Sequence, residues 1–255
     1  MTHQSHFKRI NFCMAMLIAI GCIFANGAPA PVFAAAQGLS ASYSQNFDSL
    51  AASGNATWAN DSSLPGWYAS RGTYSADTGS SGAGGMYSYG AAASSERAFG
   101  AIPKKNSGGT IYKGLLLRND TAQTITQLYI AYTGEQWRNS AGGTQTLVFS
   151  YQESASAITV LTAGVWTPVT ALSFDAPVTG GTAGALDGNL PANQRRLSGT
   201  LAVTIPANGY IMLRWMDADD QGADHGLAVD DLVVSANLPP QALADAYATS
   251  EDVPL

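Results

Sequence analysis

Apolar residues recur at every second position through the middle and end of this chain. Ile111, Leu115 and Leu117 share one parity in Thr110–Asn119. Leu128, Ile130 and Tyr132 do so in Ile125–Thr133, and Leu147, Phe149 and Tyr151 in Gln145–Glu153. Ile211, Leu213 and Trp215 repeat the pattern in Tyr210–Asp217. A period of two over such lengths predicts strands with one face buried. Further strands are expected near Ala41–Asp48, Gly66–Ser70, Met86–Tyr89, Arg97–Ala101, Trp166–Leu172, Leu197–Ile205 and Leu227–Ser235. Gly-Gly, Asn-Gly and Ser-Gly pairs punctuate the gaps, and no stretch carries a capped 3.6-residue period. The pattern predicts an all-β domain, a two-sheet antiparallel β-sandwich of jelly-roll type.

The N-terminus follows another rule. Lys8 and Arg9 precede a nearly unbroken apolar run from Phe12 to Ala25. Small residues follow, with Ala28-Pro29-Ala30 and Val32-Phe33-Ala34 as cleavage candidates. That layout is a secretory signal peptide over residues 1–34. The run is shorter than the roughly 20 residues of a membrane span, so no membrane insertion is expected after cleavage. Ala19-Ile20-Gly21-Cys22 loosely resembles a lipoprotein processing site, but the apolar run continues through Ile23 and Phe24. Both cysteines, Cys13 and Cys22, lie in this segment. The exported part must therefore hold together without disulfides, although its compartment permits them. A sandwich domain is expected over 37–236, followed by a linker and further segment over 237–255.

Charge narrows the partners. Eighteen acidic residues stand against twelve Lys and Arg, and loss of Lys8 and Arg9 takes the net charge from −6 to −8. Such a chain disfavours nucleic acid and anionic membrane and suits cations. The acids crowd into one stretch: Asp217, Asp219, Asp220 and Asp224, then Asp230 and Asp231. Packed carboxylates repel unless a cation or open solvent relieves them. Asp217-x-Asp219-x-Gln221-Gly222 copies the first half of a calcium loop. The twelfth position is Ala228 and the flanks read as strands, which excludes an EF-hand. A calcium loop between two sandwich strands is the expectation, with a solvated acidic turn as the alternative. Asp217 shares the parity of Trp215, so it should point inward and need a partner.

Gly226-Leu227-Ala228-Val229-Asp230-Asp231-Leu232 resembles the last strand of calcium-binding jelly rolls, including MAM-type domains and several carbohydrate-binding modules. In those domains a Phe-Asp or Phe-Glu near the first strand meets the last strand at a structural calcium. Asn46-Phe47-Asp48 stands in the matching place, so the resemblance implies a clip between Asp48 and Asp230 or Asp231. Tyr132-Thr133-Gly134-Glu135-Gln136-Trp137-Arg138, Gln145–Gln152, Leu186-Asp187-Gly188-Asn189 and the acidic stretch together resemble an N-terminal β-sandwich module of large bacterial exoproteins. That module precedes Ig-like repeats or secreted endonuclease/exonuclease/phosphatase-type enzymes. It implies a secreted or cell-surface setting and no activity of its own. Pro240 to Leu255 resembles the opening strand of a cadherin-like or Ig-like repeat, which implies a longer modular protein.

Catalytic sets are missing. His225 is the one histidine outside the signal segment, no nucleophile-elbow glycine–serine motif occurs, and one histidine is too few for zinc. No phosphate-binding or dinucleotide fingerprint appears. Glu135, Trp137, Arg138 and His225 are the candidate ligand-binding residues, an aromatic platform beside polar groups. The competing reading packs Trp137 over the sandwich and pairs Arg138 with Glu135. The expectation is a non-catalytic, calcium-stabilised module acting in adhesion or glycan binding, its partner an extracellular glycan or surface protein. The alternatives are an accessory domain of a secreted hydrolase and, less economically, a hydrolase in its own right.

Overall fold

A computed structural model describes residues 36–238. The signal-peptide reading and the repeat-like phrase at 240–255 lie outside the described residues. Sixteen strands follow one another: β1 (Gln37–Leu39), β2 (Ser42–Gln45), β3 (Asn55–Thr57), β4 (Trp67–Ala69), β5 (Thr73–Asp77), β6 (Gly85–Tyr89), β7 (Ala98–Ile102) and β8 (Ile111–Asn119). Then come β9 (Ile125–Asn139), β10 (Thr146–Ser154), β11 (Thr167–Pro168), β12 (Phe174–Asp175), β13 (Gly184–Ala185), β14 (Gln194–Ile205), β15 (Tyr210–Asp217) and β16 (Gly226–Ala236). Two 3-10 turns, Lys105–Ser107 and Thr170–Leu172, are the helical segments among the described residues.

The strands form two sheets. The first runs β1-β8-β15-β10-β11, with β4 also on β8 and β12 on β10. The second runs β13-β9-β16-β7-β6-β5-β3, with β14 also on β9 and β2 on β16. Pairing is antiparallel except at two places: β1 lies parallel to β8, and β5 to β6. The antiparallel expectation is corrected there; neither pair is joined by the tight hairpin that sets neighbouring strands antiparallel.

The alternating positions meet between the sheets. Leu115, Phe149 and Trp215 from the first sheet join Phe99, Leu128, Tyr132 and Val229 from the second in one buried cluster. Tyr132 meets Trp215 edge-on at 5.6 Å, and Trp67 stacks on Trp215 at 5.6 Å. These rings bury large apolar areas at the centre, which lets a cysteine-free domain of about 200 residues close one core.

β9 is longer than its alternation predicts. The phrase Gly134–Arg138, expected beyond the strand end, continues the strand to Asn139. Both neighbours explain the continuation: Glu135 pairs with Gln194 of β14 on one side and with Ala228 of β16 on the other. Gly134 has no side chain because Phe174 lies on it; a Cβ there would sit 2.3 Å from the Phe174 ring. The predicted strand Trp166–Leu172 is likewise corrected: two residues form β11, and a 3-10 turn follows.

Candidate metal centre

β7, β16 and β9 lie side by side in the second sheet. On its outer face each brings one acid to a common point. Glu135 comes from β9 and Asp230 from β16, two positions along the same face from the Ala228↔Glu135 pair. Glu96 comes from the residues just before β7. Ligand oxygens of the three lie within 4.8 Å of one another, the one such group of acids, histidines or cysteines among the described residues.

The cluster is dry. Glu135 is 2% exposed and Asp230 5%. Glu135 Oε2 accepts the Trp137 indole N–H at 2.7 Å, and Asp230 Oδ1 accepts the Asp231 N–H at 2.7 Å. Glu96 Oε2 accepts from Asn189 Nδ2 at 2.6 Å, while its Oε1 is buried with no hydrogen-bond partner. Burial pushes the Glu135 carboxyl up to about 7, against the Trp137 bond that favours its anion. Burial, then the Glu135 charge, pushes Asp230 up to about 9. Three acids this close cannot all ionise in a low dielectric without a counter-charge. Protons or a cation must supply it.

A hard divalent cation suits the donor set. Calcium takes six to eight oxygens in irregular geometry. The three carboxylates offer two oxygens each, and Glu96 already holds one without a partner. The guanidiniums of Arg97 and Arg196 bond to other groups. Arg97 donates to Ser88, and Arg196 donates to the Asp231 carbonyl at 2.9 Å.

The Leu186–Asn189 phrase covers this centre. Gly188 presses on Trp137, where a Cβ would stand 2.3 Å from the indole nitrogen. Asn189 holds Glu96, and Asn193 Nδ2 donates to the Asp187 carbonyl at 2.7 Å. Beneath the loop, Tyr87, Tyr89 and Trp137 form a ladder with ring centroids 5.0 and 5.9 Å apart. Trp137 is 1% exposed, so it is no platform and the competing reading holds for it: the ring packs, and its N–H orients Glu135. Arg138 does not pair with Glu135 either. Side chains alternate across a strand, yet its half-buried guanidinium turns away to donate to the Gly79 and Ser80 carbonyls.

His225 is fully buried. Its Nδ1 accepts the Ser140 backbone N–H at 2.9 Å, and its Nε2 lies 3.0 Å from the Gly143 carbonyl. An N–H must donate and a carbonyl must accept, so the ring is the neutral Nε2–H tautomer. Both nitrogens are used, and burial holds its pKa below the ordinary value. The expected ligand-side role is corrected: His225 ties the Asn139–Gly143 turn to the start of β16.

The acidic loop does not bring three ligand oxygens together. Asp217 points inward as its parity predicts and is 4% exposed, with Oδ2 unpartnered. Burial raises its pKa, and the buried Lys113 opposes that shift. Asp224 Oδ1 accepts the Asp220 N–H at 3.0 Å, while the Asp219 N–H donates to Thr110 Oγ1 at 3.4 Å. The carboxylate of Asp224 braces the loop, and burial, together with the charges of Asp219 and Asp220, raises its pKa. Asp48, the expected partner of the last strand, accepts the Arg97 N–H at 3.1 Å and Asn46 Nδ2 at 2.6 Å. Phe47 sits at φ 57 with its ring in the core, which turns Asp48 to the Arg97 backbone. Glu96, one residue away, takes the place in the cluster. Asp230 joins it; Asp231, at φ 47, is exposed at a bulge in β16. Sequence reasoning missed Glu96, since a single acid ahead of a strand carries no pattern.

No protein-family model and no curated protein matches the chain. Among solved structures it is similar to a xylan-binding domain from CBM 22, with 10% identity, TM-score 0.37, and 69% of this chain and 90% of that one covered. It is also similar to the K2 cleaved adhesin domain of Lys-gingipain, with 15% identity, TM-score 0.35, and 78% and 98% covered. A CBM22 tandem domain from Paenibacillus barcinonensis Xyn10C matches at 12% identity and TM-score 0.36, over 83% of this chain and 49% of that one. Among the described residues, no helix is long and apolar enough to cross a membrane.

Proposed function

We propose that the domain is a non-catalytic, calcium-stabilised module of an exported bacterial surface protein, working in adhesion or glycan binding. The convergence of Glu96, Glu135 and Asp230 carries this reading. Glu135 and Asp230 sit on the adjacent strands β9 and β16 and Glu96 just ahead of β7, so a cation there would tie β9 and β16 to the segment entering β7 in a domain without cysteine. The burial of Glu135 and Asp230 speaks against general acid–base work on a substrate, and His225 has no free nitrogen to offer one. The apolar run after Lys8 and Arg9 supports export.

Calorimetric titration of the chelator-treated protein with calcium tests the cation. One equivalent binds, the melting temperature rises, and Asp230→Asn abolishes both. Equal melting curves in calcium and chelator would remove the cation from the reading. A glycan array tests the binding role, and retention of no glycan would leave the domain a spacer.

A further inference from the structure

The outer face of the second sheet has two halves. The Leu186–Asn193 loop covers one half, over Trp137 and the carboxylates. The other half is open, and its cross-strand register lays small side chains in a row. Ser44 of β2 pairs with Val233 of β16, Val233 with Ala131 of β9, and Ala131 with Ser198 of β14. Four strands at about 4.8 Å spacing make this row about 14 Å long. It runs across the strands as a low row in which Ala131 is 2% exposed, and it opens into a groove at the Ser44–Val233 end.

Two walls bound it. The next row on one side is Ser42, Ser235, Tyr129 and Thr200. Tyr129 stands up from it 46% exposed, the one aromatic among the large hydrophobic residues exposed on the described surface. On the other side rise Arg196, Asp231 and Asn46, around a groove of about 660 Å³ that also includes Ser44, Gln45 and Val233. Arg196 Nη1 is fixed by the Asp231 carbonyl at 2.9 Å and Thr133 Oγ1 at 3.4 Å, which leaves its remaining N–H groups for a ligand. Asp231 at φ 47 is a strained non-glycine residue, and strain of this kind collects at binding sites.

From this arrangement we infer that the trough between Tyr129 and the Arg196–Asp231 wall binds a neutral polysaccharide lying across the strands. The inference rests on the glycan-binding reading above and gives that reading a place and a ligand class. A sugar ring has an apolar face and a hydroxyl-rich edge; Tyr129 suits the first, and the guanidinium, carboxylate, amide and hydroxyls of the walls suit the second. A protein partner would need a large apolar, desolvated centre, and this row holds one valine and one alanine between two serines. A polyanion would meet Asp231 and a chain of net charge −6.

The test is affinity electrophoresis and calorimetry of the secreted protein with xylan, β-galactan, mixed-linkage β-glucan and mannan. Polygalacturonate and alginate serve as acidic comparators. At least one neutral polysaccharide binds, and Tyr129→Ala and Arg196→Ala each weaken it by about tenfold or more. Val165→Ala, at an exposed residue elsewhere, leaves binding unchanged. Melting temperatures report that the variants fold. Binding by the wild type that both variants retain would overturn the trough and leave the glycan reading standing. Binding to none of the panel would overturn both, and binding to the acidic comparators alone would overturn the ligand class.

Discussion

Replacing Glu135 by glutamine keeps an oxygen to accept the Trp137 indole N–H and removes the charge. The effect on the metal-free protein follows from linkage. The folded pKa lies above the ordinary value, so the fold favours the protonated acid. That contribution is fully present below the unfolded pKa, near 4.5, and is lost as pH rises through the folded value of about 7. Moving from 4.5 to about 7 corresponds to about 3 kcal/mol of stability lost by pH 8.5. Glutamine does not ionise, so Glu135→Gln recovers up to that amount in chelator. For a domain of this size that is a rise of about 6–12 °C in melting temperature. Removing the Glu135 charge also eases ionisation of Asp230, whose pKa it helps to raise.

Calcium reverses the ranking. In the wild type a bound cation replaces the protons, so calcium restores stability at pH 8.5 by an amount that grows with its concentration over Kd. The glutamine variant has lost one anionic ligand and responds weakly. The assay is thermal unfolding of both proteins at pH 5 and pH 8.5, in chelator and in millimolar calcium. At pH 5 in chelator the two proteins should melt within a few degrees of each other, because Glu135 is then protonated. A variant less stable than the wild type at pH 8.5 in chelator would refute the argument that burial of charge is costly here. An undiminished calcium response would place the cation elsewhere.

Gly188→Val should destabilise the domain by about 1–3 kcal/mol, because the side chain collides with the Trp137 indole. Thermal melts and a red shift of tryptophan emission read that outcome, and an unshifted melt would mean the loop does not press on the ring. His225 should titrate below its ordinary 6.5 in an NMR pH series, since the fold holds the neutral ring. Its contribution is present above the unfolded pKa and is lost as pH falls through the folded one; a pKa above 6.5 would contradict the Ser140 and Gly143 bonds. Asn189→Ala frees Glu96 Oε2 and should weaken calcium binding severalfold in calorimetry, with little change in the melt of the metal-free protein.

How much of this was readable from residue order depends on how far each feature reaches along the chain. The sandwich was legible because Leu115, Phe149 and Trp215 announce their buried face within a few residues of themselves, and period two is a local signal. Asp217 was legible for the same reason: its parity turned it inward, and it is 4% exposed. For Trp137 the sequence leaves platform and packing both open, because its cover comes from Gly188, fifty-one residues later, and a glycine does not advertise what it lies against. The acidic stretch drew attention by density, yet density along a chain is not proximity in a sheet. Alternation turns Asp217 toward the core, while Asp219, Asp220 and Asp224 occupy a loop; their charges reach one another, yet no three of their oxygens meet as those of Glu96, Glu135 and Asp230 do. Glu96, Glu135 and Asp230 are thirty-nine and ninety-five residues apart, and each is unremarkable alone. They converge because β16 lies between β9 and β7, a fact of sheet order that no window of sequence contains. The same order builds the open trough, since Ser44, Val233, Ala131 and Ser198 become neighbours only through register. In an all-β chain, then, local pattern decides which way a side chain points, and long-range pairing decides what it meets. The candidate chemistry here belongs to the second.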